Sequence, residues 1–339
     1  MDEAGGSGVD PSTVTADTTY STETASQTIT GLAFDFADNR GSDSFTFKLD
    51  KTAPTITASK LPATPDGTNG WYRQAVKVSF ACSDGLSGIA VCPDPVTPST
   101  NNVAGSPQSV TGTASDKADN TASATVAGIN IDMETPTLTI DGVTDDARYP
   151  LGSVPTPTCS ASDSYSGLVA GGCTGSVSGG FSNGAGTFRY TATATDRAGN
   201  SVTKSVRYFV DYAISPTTAF FLQPINDTGH TASSTLSIFK GGSTVPVKFQ
   251  LKNASGQVVQ ASGAPIWLTP AKGNATTSPV DESVFSLPGD SGSTFRWDSS
   301  AQQYIYNWNT AASQGGFYWK IGVKLDTGQQ VFQDIGLRK

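Results

Sequence analysis

The residues best equipped for chemistry in this chain are oxygen donors in short loops. Asp84 precedes Ser87 in "SDGLSG", and Asp163 precedes Ser166 in "SDSYSG". A carboxylate and a hydroxyl on one loop are hard ligands of the kind calcium takes, but calcium wants six to eight oxygens, so each loop needs help from a neighbour. Asp84 and Asp163 are the expected contributors, acting through a domain junction. Three Asp-x-Ala-x-Asn stretches pair Asp35 with Asn39, Asp116 with Asn120 and Asp196 with Asn200. Their side chains suit the capping of turn backbone, which explains these residues without a metal.

Catalytic groupings are sparse. His230 in "NDTGH" is the single histidine, so a Ser-His-Asp arrangement has to use it, and no nucleophile motif accompanies it. Asp281, Glu282 and Asp298 are the acids from which a sugar-hydrolysing pair would be drawn. Loose acids in a β-domain are normally solvated, and the expectation is that the chain is not an enzyme. Four tryptophans lie after residue 211. An indole plane suits stacking on a sugar ring but also fills cores. Alternation assigns Trp308 and Trp319 to a core, which leaves Trp267 and Trp297 as the candidate glycan platform.

Cys82 and Cys92, and likewise Cys159 and Cys173, occupy matching places in two related segments. A local bridge within each segment is the economical pairing, and such bridges persist outside the reducing cytosol. Each would restrict the unfolded chain by roughly 3 kcal/mol. Zinc is disfavoured because neither pair has short ligand spacing and the pairs lie in different expected domains.

These loops need strands to hold them. "TATATDRAGN" at 191–200 alternates threonine with small residues and then turns, as a β-hairpin does. "TGLAFDFADN" at 30–39 and "TGTASDKADN" at 111–120 share its layout at a period of about 80 residues, the size of a small domain. A second marker agrees, since "DKTAPTI" at 50–56 is echoed by "DMETPTLTI" at 132–140 and more faintly by "VDYAISP" around Asp211. The expected layout is an incomplete repeat at 1–49, complete repeats at 50–131 and 132–211, and a larger, more aromatic β-domain at 212–339. The incomplete repeat reads as one whose first strands are missing, in an excised piece of a longer exported protein. Pro54 and Pro136 suggest short, stiff joints.

Composition bounds the partners. Charged residues make up 15 %, and the net charge is -8. Such a surface offers no basic stripe, which argues against nucleic acid. No run of 18 apolar residues occurs, so direct membrane insertion is not expected. The 36 glycines suit turns and short strands better than helices.

The segments "DKTAPTI", "NGWY…VKVSFACSDGLSGIAVC" and "SVTGTASDKADNTASATV" resemble bacterial extracellular immunoglobulin-like domains found in tandem, over roughly residues 1–211. The remainder is similar to the PxKF domain, through Pro246, Val247, Lys248 and Phe249 in "GSTVPVKFQL". The resemblance implies tandem immunoglobulin-like β-sandwiches followed by a distinct C-terminal β-sandwich-like domain. It implies no catalysis. The expected role is a non-catalytic stalk or adhesin segment of a secreted or cell-surface bacterial protein, extracellular and flanked by neighbouring domains of a longer polypeptide. The alternative is a carbohydrate-binding module in the C-terminal domain, with a surface glycan or protein receptor as partner.

Overall fold

The structure is a computed structural model that describes residues 6–215, 219–225 and 236–339. It is all-β, and the helical content among the described residues is two short 3-10 turns, Pro11–Thr13 and Ala312–Gln314. The chain divides into two compact units. The first comprises Met1–Pro136, Ser162–Ala170 and Thr195–Ser201; the second comprises Thr137–Ala161, Gly171–Ala194 and Val202–Lys339. The 132–211 repeat is thus cut, its linker-facing loops grouping with the residues that precede them.

The N-terminal sheet has the order β1 (Val9–Asp10), β2 (Thr24–Asp35), β3 (Arg40–Leu49). The first complete repeat has a two-stranded sheet, β4 (Thr55–Leu61) with β6 (Lys77–Ser83). Its second sheet runs β5 (Trp71–Tyr72), β9 (Thr121–Ile131), β8 (Gln108–Asp116), β7 (Ile89–Val91). Here the period-2 pattern does the sorting. Val110, Gly112, Ala114 and Asp116 of β8 point inward and are buried, while Thr111 and Thr113 point outward. The outward hydroxyls pair across the ladder with Thr125 and Ser123 at 2.9 and 2.8 Å. Such cross-strand pairs stabilise the hairpin modestly and keep the outer face wet. Tyr72, Val76, Val78, Val110, Ile129 and Ile131 form the core, with Phe80 and Val126 packed against it. Gly112 is required for close approach, because a Cβ there would stand 2.6 Å from the Phe80 ring.

The second complete repeat follows the same plan. Its small sheet is β10 (Thr137–Asp141) with β12 (Thr158–Ser162), and its large one is β11 (Arg148–Pro150), β15 (Ser201–Asp211), β14 (Gly186–Asp196), β13 (Leu168–Gly179). The alternation of "TATATD" holds: Tyr190, Ala192 and Ala194 are buried, while Thr191 and Thr193 pair with Ser205 and Thr203.

The C-terminal residues fold into two further sheets. One runs β16 (Ile238–Lys240), β22 (Gln330–Arg338), β21 (Phe317–Lys324), β18 (Ile266–Ala275). The other runs β17 (Thr244–Phe249), β20 (Gln303–Asn309), β19 (Arg296–Asp298). The "PVKF" residues lie in β17, with Pro246 opposite Asn307. Phe249, Trp267, Phe295, Tyr306, Trp308, Ile321 and Ile335 share one apolar cluster with Tyr190, Tyr208 and Val210 of β14 and β15. Tyr212 fastens the same unit: its hydroxyl accepts from Asn183 at 2.8 Å, and its backbone exchanges two bonds with the Gln329 amide.

Candidate functional site

Each Asp-x-Ala-x-Asn turn is built around its first side chain. Asp196 Oδ1 accepts from the Asn200 backbone N–H at 2.8 Å, and Oδ2 accepts from Asn200 Nδ2 at 2.9 Å. Asp116 holds Asn120 in the same way, at 2.9 and 2.8 Å, and Asp35 holds Asn39 with both bonds at 2.8 Å. The fourth turn residue is left-handed in all three copies, at Asp38, Asp119 and Gly199. Aspartate tolerates that region better than most residues, so the turn survives where glycine is absent.

The Asp-x-x-Ser-Gly loops lie beside these turns. Asp84 Oδ1 accepts from the N–H groups of Leu86 and Gly88, and Asp163 Oδ1 from those of Tyr165 and Gly167. The third partner comes from the linker that enters each repeat. Asp50 Oδ2 accepts from Ser87 N–H at 2.9 Å, and Asp132 Oδ2 from Ser166 N–H at 3.1 Å. Asn120 and Asn200 then donate to the backbone carbonyls of Asp50 and Asp132, at 3.4 and 3.1 Å. Linker, loop and turn are thereby tied together in both repeats by the same set of bonds.

Carboxylate oxygens converge as a result. Asp50, Asp84 and Asp116 lie within 4.8 Å of one another, and so do Asp132, Asp163 and Asp196. The sequence points to Asp84 and Asp163 at junctions, but it presents Asp116 and Asp196 as turn residues only and Asp50 and Asp132 as linker. The echo of "DKTAP" in "DMETP" is the signal that marks the linker acids; its meaning lies in the meeting of each linker with a loop more than 30 residues away, 34 in the case of Asp132 and Ser166.

Burial makes the second cluster electrostatically demanding. Asp132 and Asp196 are both fully buried. Burial pushes the Asp196 carboxyl above the usual carboxylate range, with the Asp132 charge adding to it and the Asn200 bonds opposing it. Asp35, in the equivalent turn but only half-buried, is held below that range by its bonds from Asn39. Burial is the largest cause at Asp196, while Asp35 also gains the Ala37 N–H, whose counterpart in the Asp196 turn, Ala198 N–H, bonds Ser166 Oγ instead.

The other candidates have structural surroundings. Asp298 Oδ1 accepts from Ser300 and Ala301, and Asp281 Oδ1 accepts from Ile238 N–H, anchoring β16. Glu282 is buried, and His230 lies outside the described residues. Trp267 must be removed from the glycan platform. It is 8 % exposed and stacks on Tyr306 with ring centroids 4.8 Å apart, because inward alternation in β18 sends it into the core while Ile266 faces out. Trp297 is half-buried, tilted against Tyr304. Both expected bridges form, Cys82 with Cys92 and Cys159 with Cys173. Such bonds belong to an oxidising, extracellular or cell-surface setting. No described helix is long and apolar enough to cross a membrane.

No protein family and no curated protein matches the chain by sequence. In structure it is similar to the extracellular domain of protocadherin gammaB4, with 12 % identity, a TM-score of 0.29, and coverage of 92 % of this chain and 54 % of that one. It is also similar to immunoglobulin domains 1–5 of Sidekick-1, with 12 % identity, a TM-score of 0.25, and coverage of 91 % and 65 %. Domains 4–9 of the surface layer protein SbsC give 14 % identity, a TM-score of 0.19, and coverage of 94 % and 46 %. The chain spans about half the length of the protocadherin it resembles.

The contrast between the two turns has a direct test. In a carboxyl NMR titration, Asp196 is expected to titrate above the ordinary aspartate range and Asp35 below it. Asp196 binds its proton more tightly folded than unfolded, so the stability it contributes is present at acid pH and lost as pH rises through its folded pKa. Titration of both residues at the same pH would refute the burial argument.

Proposed function

We propose that the chain is a non-catalytic stalk or adhesin segment of an exported bacterial protein, in which immunoglobulin-like repeats and a closing PxKF-type domain space or present another module. The observation that carries this reading is the duplicated junction: Asp50 and Asp132 each clamp the Ser-Gly loop of the repeat they enter, and the closing Asn of that repeat grips the same linker. Bonds between a carboxylate and backbone N–H groups are charge-assisted, worth about 1.5–3 kcal/mol each. A linker held by several of them bends less than a free one. The rival glycan reading loses ground because its platform is reduced to Trp297.

Calcium belongs to this proposal as a stiffener of the joint. Each cluster offers three carboxylates, short of the six to eight oxygens calcium prefers, so backbone or water oxygens would complete the shell. Acting on Asp50, Asp84 and Asp116 and on Asp132, Asp163 and Asp196, it would offset the mutual repulsion of the acids.

Small-angle scattering is expected to give a maximum dimension well above that of a compact 35.0 kDa protein; a globular profile would exclude the stalk. Calorimetry with calcium is expected to show two sites per chain and a raised Tm, with one site lost in Asp84→Asn and the other in Asp163→Asn. Absence of heat and of any Tm shift at millimolar calcium would leave the junctions as purely hydrogen-bonded joints.

A further inference from the structure

Two Asn-Gly dipeptides occur in the chain, Asn69–Gly70 and Asn183–Gly184. In both, the asparagine amide donates to a backbone carbonyl far along the chain. Asn69 Nδ2 donates to Arg197 O at 2.9 Å, and Asn183 Nδ2 donates to Gln260 O at 2.9 Å and to the Tyr212 hydroxyl at 2.8 Å. The first bond belongs to a wider clasp. Thr68 Oγ1 donates to the same Arg197 carbonyl at 2.6 Å, and Thr68 N–H donates to Ala198 O at 2.9 Å. Gly67 is required for this approach, because a Cβ there would stand 2.5 Å from the Ala198 oxygen. A loop of the first complete repeat is thereby fastened to the Asp196–Asn200 turn of the second, both lying in the first compact unit.

Asn-Gly is also the dipeptide best suited to intramolecular deamidation, since glycine has no Cβ to shield its backbone nitrogen from the preceding side chain. The glycine nitrogen bonds to asparagine Cγ, the Cγ–Nδ2 bond breaks, and Nδ2 leaves as ammonia with the proton that the glycine N–H gives up. Water then opens the cyclic imide at one carbonyl or the other, giving aspartate or an isoaspartyl linkage with an extra backbone carbon. The fold decides whether the two groups are free to meet. At the first site they are: Asn69 and Gly70 are exposed, a Cβ on Gly70 would meet nothing within 4 Å, and the Gly70 N–H has no acceptor among the described residues. At the second they are held. Gly184 N–H donates to Phe181 O at 2.9 Å, and the half-buried Asn183 has Nδ2 donating twice and Oδ1 accepting from Ala185 N–H at 3.0 Å.

We propose that Asn69 is a site of spontaneous deamidation in the folded chain and that the reaction loosens the clasp on the Arg197–Gly199 turn, with Asn183 kept intact by its own hydrogen bonds. Either product replaces the amide donor facing Arg197 O with a carboxylate, which sets an acceptor against an acceptor. The isoaspartyl form also lengthens the backbone just before Trp71, which is 6 % exposed and pairs with Asn130 at the start of β5. Hydrolysis of the imide does not restore the amide, so the state of the clasp changes with the age of the chain. This chemistry is independent of the stalk reading.

The test incubates the whole folded chain in mildly alkaline buffer, digests it at acid pH, and separates the asparagine, aspartate and isoaspartyl forms of each peptide by chromatography and mass spectrometry. The reduced chain in denaturant is treated alongside. In the folded chain Asn69 is expected to react faster as pH rises, because the attacking nitrogen must lose its proton, and at least about tenfold faster than Asn183, which has to wait for local opening. In denaturant the two sites should react at similar rates. Asn69→Asp imitates one product, and aspartate tolerates the φ of 51° at this position. This variant should speed amide exchange at Thr68 and leave exchange at Ala185 unchanged, and the incubated parent chain should drift toward the same behaviour. A folded chain in which Asn69 stays intact, or in which Asn183 reacts as fast, would overturn the proposal. So would Thr68 exchange that neither Asn69→Asp nor incubation alters.

Discussion

A carboxylate taken out of water must be given hydrogen-bond donors, and in this protein that requirement organises the ends of the repeats. Asp132 and Asp196 are fully buried, and each is surrounded by backbone N–H groups or the Asn200 amide. Losing one such partner would leave a charge uncompensated, which is far more costly than the net gain of the bond itself. The left-handed fourth residue of each turn, the positive φ of Gly88 and Gly167 and the course of the linker all serve to aim donors at these oxygens.

The same turn does different chemistry in different surroundings. Asp35 and Asp196 hold their closing asparagines through the same pair of bonds, yet one carboxyl is held low and the other pushed high. At this turn covering acts on more than apolar side chains, because it takes the Asp196 carboxyl out of water. The duplicated acidic clusters arise where the linker aspartate, Asp50 or Asp132, meets the loop and turn of the repeat it enters.

Much of this is legible in the sequence. The alternation of Tyr190, Ala192 and Ala194 against Thr191 and Thr193 announces a strand with one buried face, and the placement of the cysteine pairs announces local bridges. Trp267 misleads because "PIWLTP" is too short and proline-bounded to show which of its residues faces inward. The roles of Asp50 and Asp132 are hidden for a different reason. Their partners Ser87 and Ser166 lie 37 and 34 residues away, and no local pattern encodes a contact of that range.

The most direct test of the linker clamps is amide hydrogen exchange at Ser87 and Ser166 in the chain and in its Asp50→Ala and Asp132→Ala variants. Each variant is expected to lose protection at its own serine and the following glycine, with the other junction and the strand amides unchanged. Exchange at Ser87 and Ser166 that is already fast in the parent chain, or that neither variant alters, would contradict the claim that linker carboxylates hold the joints.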